Sequence, residues 1–215
     1  MFEKRKERQA EAKLQADLAT WESNRKEVCA LLDIVRNAKL APVEGVLLKS
    51  NEGGVAIVKG AHLVEQVRGK GHYAGRSSGV SIPIGSADGR TVRYRVGASK
   101  GHYVQDPPHP QTTDTGTLVV TNKRILFIGA KRTVECLFTK VIALSVDSGV
   151  VTVSVSNRQK PTVISVGKSL EDWLTPRLNI ALAFHNNDTS GVLQGLEDAL
   201  REFDASKPSA AVLGS

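Results

Sequence analysis

DTGTLVVTNKRILFIG, residues 114–129, reads as two strands and the turns that bound them. Asp114-Thr115-Gly116 is a run of turn formers. Residues 117–121 and 124–129 are apolar, β-branched runs, and Asn122-Lys123 stands between them. An Asn-led pair in that position is a strong hairpin signal, because asparagine tolerates the positive φ that such turns need.

Working outward, β-type pattern continues on both sides. After the hairpin come runs at 133–138, 141–146, 150–156 and 162–166. Val151, Val153 and Val155 alternate with Thr152, Ser154 and Ser156, as expected of a sheet that is wet on one side. Before the hairpin, 46–48 and 55–58 are short apolar runs between glycines. Residues 61–68 fit strand or short helix. Residues 80–84 and 91–96 read as strands joined by 85–89, and 105–116 reads as a polar loop containing prolines.

Helices flank this middle. Residues 3–38 lack Gly and Pro and are rich in Ala, Glu, Lys, Arg, Leu and Gln, which predicts one long helix. Leu14, Leu18, Trp21, Val28, Leu32 and Val35 form an a/d seam along it, with Arg25 in the gap. That seam suits packing on the chain's own domain or self-association as a coiled coil. The first twelve residues lack the seam and read as a solvated arm. Ala41-Pro42 ends the helix. A second helix is expected at 169–185, with Ser169 as N-cap or Pro176 at its first turn, and a short amphipathic helix at 189–203.

The phrase Gly116, Leu118, Thr121, Arg124, Ile125, Phe127 resembles the central hairpin of GRAM and pleckstrin-homology-like domains. The resemblance is specific over about 112–145 and topological over 43–185. It implies an α+β protein: a bent antiparallel β-sandwich or partly open barrel closed by a C-terminal helix, here preceded by the long N-terminal helix. The implied organisation is a helix over 1–40, the β domain with its helix over 43–186, a short helix over 187–205 and a tail over 206–215. Members of that family bind membranes and proteins and are generally not catalytic.

Composition narrows the function. The chain has 215 residues, 40% hydrophobic and 24% charged, which suits a folded domain with a core. The start of the chain is too charged for a signal peptide, and no apolar run approaches the roughly 18 residues of a membrane span. Cys29 and Cys136 lie far apart and are expected to be free thiols, which points to a cytosolic protein, peripheral at most to a membrane. No histidine pair has metal-ligand spacing, and no nucleophile elbow or phosphate loop occurs, so no metal, cofactor or catalytic residue is assigned. The echo Gly71-His72-Tyr73 and Gly101-His102-Tyr103 could place two histidines near Asp106 and His109. Tyrosines packed in a sheet account for it more simply.

Charge is uneven. Residues 41–168 hold 17 Lys and Arg against 8 Asp and Glu, whereas 169–215 hold 3 against 7. A basic β domain favours polyanions. If the strands from 117 onward form a meander, alternate turns share an end of the sheet. One end then gathers Lys123, Arg124, Lys140, Arg158 and Lys160 with no acid. The other end holds Lys131 and Arg132 offset by Asp147. The first cluster suits phosphate groups or an acidic protein face. The partners implied are a protein or an anionic phospholipid surface, with a homo-oligomer through the N-terminal seam as a further expectation. A second basic stripe, Arg90, Arg93 and Arg95 with Lys100 beyond, suits nucleic acid. Aromatic residues make up only 5% of the chain, which disfavours a base-stacking platform.

Overall fold

The computed structural model describes residues 2–69, 72–87, 90–104 and 106–209. Within 72–101 and at 103 the backbone alone is described. The protein is α+β, and the described residues contain one seven-stranded antiparallel sheet, one two-stranded ribbon and three α-helices. Two compact units divide the chain: residues 1–64 with 113–215, and residues 65–112. Residues 43–186, expected as one β domain, contribute to both units.

In chain order the elements are α1 (Phe2–Arg36), β1 (Gly54–Val67), β2 (His72–Ala87), β3 (Arg90–Val104), β4 (His109–Thr121), β5 (Arg124–Gly129), β6 (Thr133–Leu137), β7 (Val141–Asp147), β8 (Val150–Val155), β9 (Thr162–Ser165), α2 (Glu171–Asn186) and α3 (Ser190–Ala205). The sheet runs β6-β5-β4-β1-β9-β8-β7. The single meander expected after residue 117 is therefore two meanders. A short 3-10 turn, Phe138–Lys140, carries the chain from β6 at one edge to β7 at the other. The last strand returns to the first, His62 pairing with Ser165. Cys136 of β6 lies 3.7 Å from Thr162 of β9, sulfur to hydroxyl, so the sheet curls toward itself without closing.

Several expectations change. Residues 61–67 are strand, the second half of β1. Residues 109–116 belong to β4, although they were expected in a loop. The runs at 80–84 and 91–96 are parts of the longer β2 and β3, which pair with each other alone. In that ribbon Tyr73 lies opposite Tyr103, Ala74 opposite His102 and His72 opposite Val104. Residues 46–48 are not a strand. They lie in a loop closed at its base by Ala41 and Gly54, which exchange backbone hydrogen bonds of 3.0 and 2.7 Å.

The core lies between the curled sheet and the helices. Leu118, Val120, Ile125, Phe127, Val151, Val153 and Ile164 from the strands meet Leu174, Leu178, Ile180 and Ala181 of α2. The alternation read in 151–155 holds, with all three valines buried. Leu170 occupies the N-cap of α2, so Ser169 does not, and Pro176 sits inside the helix beyond its first turn. Asn187 closes α2 at φ 54, a left-handed cap that asparagine tolerates.

Leu31 and Val35 of α1 join this core, and Leu32 is also buried. From Trp21 to its last residue, α1 also lies antiparallel to α3. Trp21 Nε1 donates to the Phe203 carbonyl at 2.7 Å, Arg25 pairs with Asp204 at 2.6 Å, and Arg36 pairs with Glu197 at 2.6 Å. Of the seam, Trp21, Leu32 and Val35 are thus engaged within the chain. Leu14 and Leu18 are half-buried.

The opening segment is packed at backbone distance. Gly116 pairs with Gly129 across β4 and β5. A Cβ at Gly116 would collide with the carbonyl of Ile128, and main chain cannot swing aside. Gly116→Val should lower stability by about 1–3 kcal/mol or more, as overpacked sites do. Denaturant unfolding measures it, and a change within about 0.5 kcal/mol would contradict the close approach.

Candidate docking site at the basic end of the sheet

The hairpin turn forms at Asn122-Lys123, but for a different reason from the one expected. Neither residue has positive φ. The turn is held by side chains and by the loop before β1. Thr121 Oγ1 accepts from the amides of Lys123 and Arg124 at 3.1 and 3.0 Å. Asn122 Nδ2 donates to the Asn51 carbonyl at 2.9 Å, and its Oδ1 accepts from the Gly53 amide at 3.0 Å. Lys123 Nζ donates to the Ser50 carbonyl at 2.6 Å.

Arg124 completes this grip. Its Nε and Nη2 donate to the two carboxylate oxygens of Glu52 at 2.7 and 3.1 Å, a bidentate fork. Nη1 donates to Glu135 Oε1 at 2.6 Å, and Nη2 also reaches the Leu47 carbonyl at 2.7 Å. The residue is buried. Assigned to a solvent-facing rim from its sequence position, Arg124 is instead an internal clamp. The acid-free rim is corrected as well, since Glu52 and Glu135 both stand there. Burial opposes the charge on Glu52, but Arg124, the Lys49 amide and Thr121 together hold its carboxyl below the usual range. Glu135 is lowered chiefly by Arg124, against burial. For Arg124 burial works against the cation, and the two glutamates outweigh it.

The remaining cations do gather at this end. The Lys123 carbonyl accepts from the Phe138 amide at 3.0 Å, which brings the 138–140 turn beside the hairpin turn. The Lys140 carbonyl accepts from the Ser156 amide at 2.8 Å, which adds the 156–161 turn. Arg158 crosses from that turn to β6, with Nη2 donating to the Glu135 carbonyl at 2.8 Å and Nη1 to Thr162 Oγ1 at 3.3 Å. Lys140 and Lys160 are exposed and make no ion pair among the described residues. Lys49 joins them, 3.6 Å from Glu135. Sequence reading missed Lys49 and Glu52, because only the fold brings the 42–53 loop to this turn.

The loop itself has two faces. Val46 and Leu48 pack with Val43, Val119, Leu126 and Ile128 in a small apolar cluster on the sheet. Leu47, between them, points outward and is 94% exposed. Ile142, two residues past Lys140, is 71% exposed. Glu44 is exposed on the same loop.

The opposite end is built differently. Asp114 is buried, and its carboxylate accepts from the amides of Thr115, Lys131 and Arg132 at 2.9, 3.0 and 3.1 Å. Burial raises its affinity for a proton, and these amides more than offset that. Asp114, which the sequence reading did not single out for its charge, is the acid at the 130–132 turn. Asp147 accepts from Ser148 in the hairpin between β7 and β8.

For the second stripe, the register sets Arg93 opposite Pro83, Arg95 opposite Ser81, Lys100 opposite Arg76 and Arg90 opposite Ala87. Their side chains lie outside the described residues. Among the described residues no group of three or more His, Cys, Asp and Glu is arranged to hold a metal ion. No helix among them is long and apolar enough to cross a membrane. Comparison with known proteins finds no matching family model, no matching curated protein and no matching solved structure.

Proposed function

We propose that this chain is a non-catalytic binding module of the pleckstrin-homology/GRAM-like type, and that the basic end of its sheet docks on an anionic membrane surface. One observation carries the reading. Lys49, Lys123, Lys140, Arg158 and Lys160 converge on one end of the sheet, while two acids at that end, Glu52 and Glu135, are engaged by Arg124, and exposed Glu44 stands on the same loop. Each such cation near an anionic leaflet contributes about 1 kcal/mol, so a handful supports salt-sensitive docking. A sheet that returns its last strand to its first and is followed by a C-terminal helix supports the family assignment.

Flotation with neutral and phosphatidylserine-containing vesicles tests it. The chain should float with the anionic vesicles at low salt and release as salt rises. Lys140→Glu with Lys160→Glu should abolish flotation and leave the unfolding midpoint unchanged, since both residues are exposed and make no ion pair among the described residues. Equal flotation of the variant and the native chain would contradict the assignment.

A second reading rests on the ribbon of β2 and β3. β2 and β3 carry Arg76, Arg90, Arg93, Arg95 and Lys100 and no Asp or Glu. A two-stranded ribbon is a shape that the major groove of DNA admits. Retention of mixed duplexes on filters at physiological salt, lost on Arg93→Glu with Arg95→Glu, would favour it.

A further inference from the structure

We infer that Leu47 is an insertion prong, an apolar tip that enters the acyl layer of an anionic bilayer while the surrounding lysines meet its headgroups. The inference rests on the membrane reading of the basic end and adds to it a site in the linker between α1 and β1. Single exposed leucines are ordinary. This one differs in how it is held. The loop that carries it is closed at its base by Ala41 and Gly54, and all three residues of the 122–124 turn grip it from beneath. Val46 and Leu48 on either side are turned into the sheet. Leu47 is therefore presented at 94% exposure by a framework that leaves the loop little freedom to fold it away. Ordering costs that oppose binding are already met by such a framework.

Charge complementarity identifies the occupant. Lys49 is two residues along the loop, Lys123 is bonded to its backbone, and Lys140 and Lys160 stand on the neighbouring turns at the same end. Ile142, the other strongly exposed large apolar side chain among the described residues, lies two residues past Lys140. Exposed apolar side chains among cations match a layered target, anionic outside and apolar within.

The test attaches an environment-sensitive fluorophore to Leu47→Cys in a Cys29→Ser background, Cys136 being buried. Ser169→Cys, exposed and preceding α2, carries the control label. With phosphatidylserine vesicles the label at 47 should shift to the blue and be quenched by lipids brominated along the acyl chain. The label at 169 should do neither. Unlabelled Leu47→Ser should bind those vesicles about tenfold more weakly, the order expected for one leucine withdrawn from an apolar layer, with its unfolding midpoint unchanged. If the native chain floats with anionic vesicles while the label at 47 stays in water, or if Leu47→Ser binds as tightly, the prong is overturned and the docking reading survives. A native chain that ignores anionic vesicles overturns both.

Discussion

Arg124→Ala should cost the protein about 3–5 kcal/mol, the loss seen when one partner of a buried ion pair is removed. Glu52 is the reason. Its side chain has 0% exposure, and Arg124 supplies both arms of a bidentate pair to it. Glu135 is 39% exposed and adds no more than a surface pair, about 1 kcal/mol or less. The Leu47 carbonyl loses its donor in the same substitution. Arg124→Lys keeps the charge and loses the fork, so it should fall between the native chain and alanine. Arg124→Met with Glu52→Gln removes both charges and should recover part of the loss. Denaturant midpoints of the three variants and the native chain measure this, and a drop below about 1 kcal/mol for Arg124→Ala would refute the clamp.

The same pair predicts a pH dependence. Both glutamates are held below their ordinary range in the folded state. A depressed folded pKa means that the unfolded chain binds more protons over that window, so stability falls with falling pH. The contribution is fully present above the unfolded carboxylate value, about 4.3. It disappears as pH falls through the lower folded values. Arg124→Ala should flatten the acid limb of the stability curve while lowering its plateau.

Leu31→Ala should cost about 2–5 kcal/mol, the range for a leucine removed from a packed core. Leu31 is 4% exposed and packs with strands and α2, although it belongs to the helix that begins the chain. Were α1 a separate coiled-coil arm, the substitution would alter oligomer mass and leave the β domain's stability alone. The account expects the reverse: a large drop in the unfolding midpoint and no change in mass by light scattering. Leu14→Ser, at a half-buried position on the same seam, should change stability far less.

How much could be read in advance follows from the range of the interactions. The 114–129 hairpin is legible from its two local β-branched runs and polar turn, although the turn's hold on Asn51, Gly53 and Ser50 is not. The long helix α1 and the alternation of Val151, Val153 and Val155 are local signals too. Arg124 is the contrary case. Nothing near it in sequence separates a rim arginine from a buried clamp, because Glu52 is 72 residues away. Residues 46–48 carry a strand-like composition, yet among the described residues no neighbouring strand takes up their backbone, and Arg124 donates to the Leu47 carbonyl instead. In 109–116 proline and polar residues argue for a loop, and the sheet order, a non-local property, draws them into β4. The two-meander order escaped for the same reason. A single 3-10 turn crosses from one edge to the other, and its composition does not distinguish it from a hairpin turn.

The convergence of basic turns nevertheless survives that error, because the crossing turn leaves from the end at which a hairpin would have closed. Lys140 therefore arrives beside Lys123 and the 156–161 turn by a different path. What changed is the make-up of the site: Arg124 moved inward, and Lys49 and Leu47 entered from a loop with no apparent role.

Amide hydrogen exchange on the full chain, with and without phosphatidylserine vesicles, reads docking through the basic end of the sheet. Vesicles should slow exchange at 44–53, 122–124, 138–142 and 156–161, and leave the 130–132 and 148–149 turns unchanged. Protection confined to 72–104, or no protection anywhere while the chain floats with the vesicles, would contradict docking through the basic end.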